Sequence, residues 1–120
     1  MDKIDKIEAF KQRTKGLALR VIRLFQSLPK TDEARIIGKQ LLRCATSVAA
    51  NYRAACRARS EAEFFSKISI VVEEADETLF WLELLQEAEI ISAAKLKALL
   101  DEYTEVVKIA NTIRHNRKSK

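Results

Sequence analysis

Few side chains in this sequence are equipped for chemistry, and their spacing argues against catalysis. The one histidine, His115, sits beside Asn116 in a basic tail with no helical pattern to aim it, so it reads as a solvent-facing side chain rather than a general base. No serine or cysteine is given a base by the pattern. The carboxylates Glu73, Glu74, Asp76 and Glu77 cluster as ligands of a bundle metal centre would, but the di-iron pattern follows Glu with His three residues on, and no such His is present. They read instead as a solvated or partner-facing acidic edge. Cys44 and Cys56 lie on one expected helix, about 18 Å apart along its axis at ~1.5 Å per residue, too far for a disulfide. Lacking a second Cys or His pair, they read as small buried side chains rather than metal ligands. There is no glycine-rich phosphate loop. The inventory predicts no enzyme, no cofactor and no metal site.

Two other patterns point to binding rather than catalysis. Arg35, Lys39 and Arg43 recur at i, i+4 and i+8, which sets a basic ridge along one helix face, and Arg53, Arg57 and Arg59 continue the positive charge to that helix's end. Ser47 and Asn51 share a face beside the apolar stripe. They are either half-exposed helix residues or a buried polar pair that fixes register against Asp76, Glu77 or Thr78 on the next helix.

The elements that must position these residues are helices. Only two Gly and one Pro occur, and Pro29 stands where the first helical pattern runs out. Apolar residues at alternating steps of three and four mark helices at about 4–28, 32–57, 61–88 and 93–114, followed by a polar basic tail at 115–120. Ile4, Ile7, Phe10, Thr14, Leu17, Val21, Leu24 and Leu28 form the first stripe; Leu41, Cys44, Val48, Tyr52 and Ala55 belong to the second. Thr31, Ser60 and Ser92 are expected N-caps, Ser60 forming a capping box with Glu63. Short connections predict an all-α, up-down-up-down antiparallel four-helix bundle in a single domain. The third helix carries more apolar residues than one stripe holds, and Phe65 and Trp81 are the expected contacts of a homo-oligomer.

The segments ATSVAAN at 45–51, the Arg/Ser-rich turn into Glu63, Phe64 and Phe65, and EADETLFWLELL at 74–85 resemble the small four-helix-bundle proteins encoded in 23S ribosomal RNA intervening sequences. The resemblance spans nearly the whole chain and implies a bundle that assembles into a five-membered ring. Many relatives follow the Asn with an apolar residue, a variable one and Glu-Gly. Here Tyr52 and Arg53 lead instead to Ala54 and Ala55, which removes the Glu and the glycine helix break. The accessory protein of diversity-generating retroelements is also similar and binds a reverse transcriptase and RNA, which makes RNA or an RNA-handling protein a partner implied by resemblance.

Charge is unevenly laid out. Residues 1–60 hold 14 Lys/Arg against 5 Asp/Glu, giving +9, and residues 61–120 hold 8 against 12, giving −4, within a net +5. The basic ridge, widened by Arg20, Arg23, Arg114, Arg117 and Lys118, suits nonspecific phosphate binding; equally, it suits helix-dipole compensation, or a subunit contact with the acidic third helix. Aromatic residues are too sparse on the basic helices for a single-strand stacking platform. No apolar run serves as a signal peptide or approaches the roughly 20 residues of a membrane span, so a cytoplasmic protein is expected.

Overall fold

In the computed structural model, residues 2–118 are described, without the side chain of Lys118. They form four helices: α1 (Lys3–Ser27), α2 (Asp32–Cys56), α3 (Glu61–Glu87) and α4 (Ala93–Lys118), with no strand among the described residues. The caps explain most of the boundaries. Asp2 starts α1 by accepting from the amide of Asp5 at 2.8 Å. Thr31 takes the amide of Ala34 at 3.3 Å, Ser60 that of Glu63 at 3.0 Å and Ser92 that of Lys95 at 3.4 Å, each satisfying a first-turn donor that has no partner within its helix. The Glu63 carboxylate lies 3.8 Å from Arg59.

Two sequence expectations change. The basic tail is not a tail: α4 runs on through His115 to Lys118, carrying Arg114 and Arg117 on a regular helix. Ser119 and Lys120, and the Lys118 side chain counted toward the basic patch, lie outside the described residues. The first stripe also does not bury over its whole length. Phe10, Thr14, Leu17, Val21 and Leu28 are buried, but Ile4 is 77% and Ile7 36% exposed, so the first turns of α1 project past the core.

That core is built from the inward stripes of all four helices. Leu17 and Val21 of α1, Leu41, Val48 and Tyr52 of α2, Ile68, Val71, Ala75 and Leu82 of α3, and Leu96, Tyr103 and Val106 of α4 belong to one buried cluster. Helix α2 packs most extensively on α3, while α1 touches α4 only thinly. Across that thin contact Arg13 donates to Glu102 at 2.9 Å and to Glu105 at 3.0 Å, and both pairs hold the guanidinium protonated above its ordinary range. Near the other end of α1, a glycine sets the approach. A Cβ added at Gly38 would stand 2.6 Å from Leu28 and 2.9 Å from Phe25, whereas at Gly16 it would meet nothing within 4 Å.

These two glycines give opposite outcomes in urea melts. Gly16→Ala stabilises by about 0.5–1 kcal/mol through helix propensity alone. Gly38→Ala carries the same propensity gain, but overpacking against α1 costs about 1–3 kcal/mol, so its midpoint falls below that of the parent protein. Equal shifts for the two variants would show that α1 does not depend on this close approach.

Candidate nucleic-acid interface

Helix α2 assembles the basic residues on one side because its other side is used up by packing. Leu41, Val48, Tyr52 and Ala55 are buried, and the 3.6-residue period puts Arg35, Lys39, Arg43, Arg53 and Arg57 on the opposite face, where all five are exposed. From Arg35 to Arg57 that face runs about 33 Å. Arg59 extends it past the helix end, and no Asp or Glu occurs between Glu33 and Glu61 to interrupt it. The termini agree with the helix dipole, Asp32 and Glu33 lying in the first turn and Arg53 in the last. Arg35 reaches back to Asp32 at 3.1 Å.

Arg43 is different, and the reason was not visible in the spacing. Its guanidinium turns onto α3, where Nη1 donates to Glu74 at 3.0 Å and Nη2 to the Glu77 carboxylate. Glu77 also accepts from the Cys44 thiol at 2.8 Å and from the Trp81 indole at 3.4 Å. Half of the expected acidic edge is therefore committed inside the chain, with Glu74 and Glu77 half-buried against α2 and only Glu73 and Asp76 exposed. Burial and the adjacent Glu77 push the Cys44 thiol up to about 12, which keeps it a protonated donor. The Cys44 and Trp81 hydrogen bonds, with Arg43, hold Glu77 below the ordinary carboxylate value. Cys44, Glu74 and Glu77 bring a thiol and two carboxylates within 4.8 Å of one another, and the Arg43 guanidinium among them supplies the positive charge such a group demands. The basic face thus divides into Arg35 with Lys39 at one end and Arg53, Arg57 and Arg59 at the other.

Ser47 and Asn51 do pair, but along their own helix. Asn51 Nδ2 donates to the Ser47 carbonyl and to its Oγ, both at 2.9 Å, and both residues are half-buried. Thr78, one of the three candidate partners on α3, donates instead to the Glu74 carbonyl of its own helix at 2.7 Å. The pair is a local clasp rather than a register lock between α2 and α3. An amide four residues from a hydroxyl satisfies itself at lower entropic cost than one that must order a second helix.

On α3, Phe65 is 37% exposed, while Trp81 is half-buried against the core and sets its ring at 75° to that of Phe80, 4.9 Å away. The exposed member of that aromatic pair is Phe80, at 51%. Phe65 and Phe80 stand on the outward side of α3, opposite Val71, Ala75 and Leu82. Among the described residues, no helix is long and apolar enough to cross a membrane.

Comparison with known proteins adds to this geometry. The family model described as 23S rRNA-intervening sequence protein matches residues 8–112. Among solved structures, the chain is similar to a protein with unknown function from the S23 ribosomal protein family of Bacteroides thetaiotaomicron. The TM-score is 0.85 and the identity 34%, over 92% of this chain and 98% of that one. No curated protein matches.

Two measurements check the polar contacts. Asn51→Ala costs about 0.5–1.5 kcal/mol, the worth of intrahelical hydrogen bonds at a half-exposed site, and Ser47→Ala costs less; a loss well above ~2 kcal/mol at Asn51 would mean that it strands a partner on α3. Glu77, held below its ordinary value of 4.5, contributes stability that is present at neutral pH and lost as pH falls through that value toward the folded one. The emission of Trp81, the sole tryptophan, therefore changes on acidification below about 4.5 in the parent protein, and Glu77→Gln removes that step.

Proposed function

The chain belongs to the 23S rRNA-intervening sequence protein family, and from that premise we propose that it is a non-enzymatic RNA-binding accessory protein that works as an oligomer. The observation that carries this reading is the outward face of α2. Arg53, Arg57 and Arg59 stand there exposed with no acidic residue between them, beside Arg35 and Lys39 further along the same face. Such a face recognises backbone charge and shape, and base identity plays no part in it. Arg43 is excluded, because Glu74 and Glu77 already neutralise it.

In this reading the protomer is an up-down-up-down antiparallel bundle. Phe10, early in α1, packs on Tyr52, late in α2, at 4.7 Å, and Arg117, late in α4, pairs with Glu61, first in α3, at 2.6 Å. Copies join through the outward side of α3, where Phe65 and Phe80 leave apolar surface uncovered, and close into a ring, five being the number the family resemblance implies. A ring repeats the α2 face around its axis, so cations too few to hold RNA in one copy gain by avidity.

A second reading is an adaptor whose surfaces join copies of this chain or an RNA-handling protein. The exposed Phe65 and Phe80 favour it, since they offer a protein contact and no phosphate contact.

Replacing Arg53, Arg57 and Arg59 together by Glu separates the two. Under the RNA reading, binding to structured RNA disappears, while light scattering still reports the parent oligomer. Binding that survives the reversal, or no binding by the parent protein at low salt, leaves the adaptor reading. Phe65→Glu with Phe80→Glu yields smaller species; a parent protein that is monomeric at working concentration overturns the ring.

A further inference from the structure

The end of the molecule where α1 and α3 begin and α2 and α4 finish holds a cavity of about 940 Å³, near the upper end of the ~300–1,000 Å³ usual for small-molecule sites. Its interior is apolar, built on Phe64, Ile109 and Ile113 over the edge-to-face pair of Phe10 and Tyr52. Its rim is basic. Lys3 and Lys6 come from α1, Arg59 from the turn after α2 and Arg117 from α4, and Glu61, the one carboxylate of the lining, is held by Arg117. The Arg117 guanidinium lies over the Phe64 ring, 4.1 Å from its centre, so a flat, cationic surface is already stacked at the mouth.

The cavity is continuous with the proposed RNA face. Arg59 belongs to both, so the series Arg53, Arg57, Arg59 leads from the outward side of α2 directly to the opening. A polyanion lying on that series meets, at its end, an apolar chamber rimmed by Lys3 and Lys6 and by Arg117, whose charge Glu61 already pairs. A duplex keeps its bases stacked inside and has only phosphates to offer. An unpaired nucleotide has an exposed π-face as well, and guanidinium planes and apolar pockets are what unstacked bases seek.

Resting on the RNA reading above, we propose that the cavity takes one unpaired nucleotide of the bound RNA. The base enters beside Ile109 and Ile113 and stacks on the face of the Arg117 guanidinium turned away from Phe64, and the neighbouring phosphates lie on Lys3, Lys6 and Arg59. The helical faces alone offer no flat surface for a base; the fold supplies one in the Arg117 guanidinium, backed by Phe64 of α3 above the buried pair of Phe10 and Tyr52.

Cys56 gives the readout, since it is exposed, lines the cavity and lies apart from the buried Cys44, whose thiol is pushed up to about 12 and serves as the unreactive internal reference. The full-length protein is alkylated with iodoacetamide, with mass spectrometry following each cysteine. The reaction runs in the presence of a saturating single-stranded oligoribonucleotide or a blunt duplex of equal length. The single strand slows Cys56 alkylation at least about fivefold, the low end of one stacked base, and the duplex leaves it unchanged. Lys6→Glu weakens single-strand binding more than duplex binding. Equal protection by both RNAs, or protection by neither while both bind, overturns the nucleotide site and leaves the α2 face standing. If neither RNA binds, the functional reading falls and the site falls with it.

Discussion

The seam between α2 and α3 is the contact on which the remaining architecture depends. Val48, Tyr52, Ile68, Val71 and Ala75 are buried, and their packing consumes one whole side of α2. Beside that apolar seam runs a polar one, in which Arg43 grips Glu74 and Glu77 and the Cys44 thiol shares Glu77 with Trp81. The Cys44 and Trp81 hydrogen bonds to Glu77 are partly shielded from water, unlike exposed ion pairs elsewhere on the surface such as Lys97 with Asp101. Once α2 is fixed in rotation by this seam, its basic residues have only one direction left to face.

The charge asymmetry of the sequence therefore has two structural meanings. Part of it is internal, since basic α2 and acidic α3 lie side by side and neutralise each other at Arg43. Part is external, since the rest of the α2 cations point away from α3 and keep their field. A net-charge count cannot separate these, because the distinction lies in helix rotation. It takes the buried positions of α2 to decide which of its arginines turns inward to the seam.

Periodicity made the four helices legible, because helices more than twenty residues long leave little freedom of assignment, and the caps at Thr31, Ser60 and Ser92 were readable from residue type. Other features had weaker signals. Glu89 ends α3 in a left-handed conformation with φ 59°, a position that usually announces itself as glycine. The last turns of α4 look polar and tail-like, yet Arg117 is fastened to Glu61 and Phe64 on α3, so a long-range contact continues a helix that local pattern would end. Spacing left the partner of Asn51 open, because the choice between a local and a distant acceptor depends on angles that spacing does not encode. The cavity was invisible for the same reason: its lining comes from separated stretches, and Tyr52 and Phe10 on their own helices are simply core residues.

The thin contact between α1 and α4 has a consequence for how the chain acquires its shape. Each helix packs mainly on its neighbours in sequence, and among the described residues the direct contact between α1 and α4 is small, with Arg13 bonded to Glu102 and Glu105 across it. Contacts between sequence neighbours carry little loop-closure entropy, and such low-contact-order helical topologies fold in microseconds to milliseconds. Each helix can thus dock on a neighbour close to it in sequence, without waiting for a distant segment. Helix α4 is the last to be synthesised, and its docking brings Arg117 to Phe64 and completes the wall of the terminal cavity.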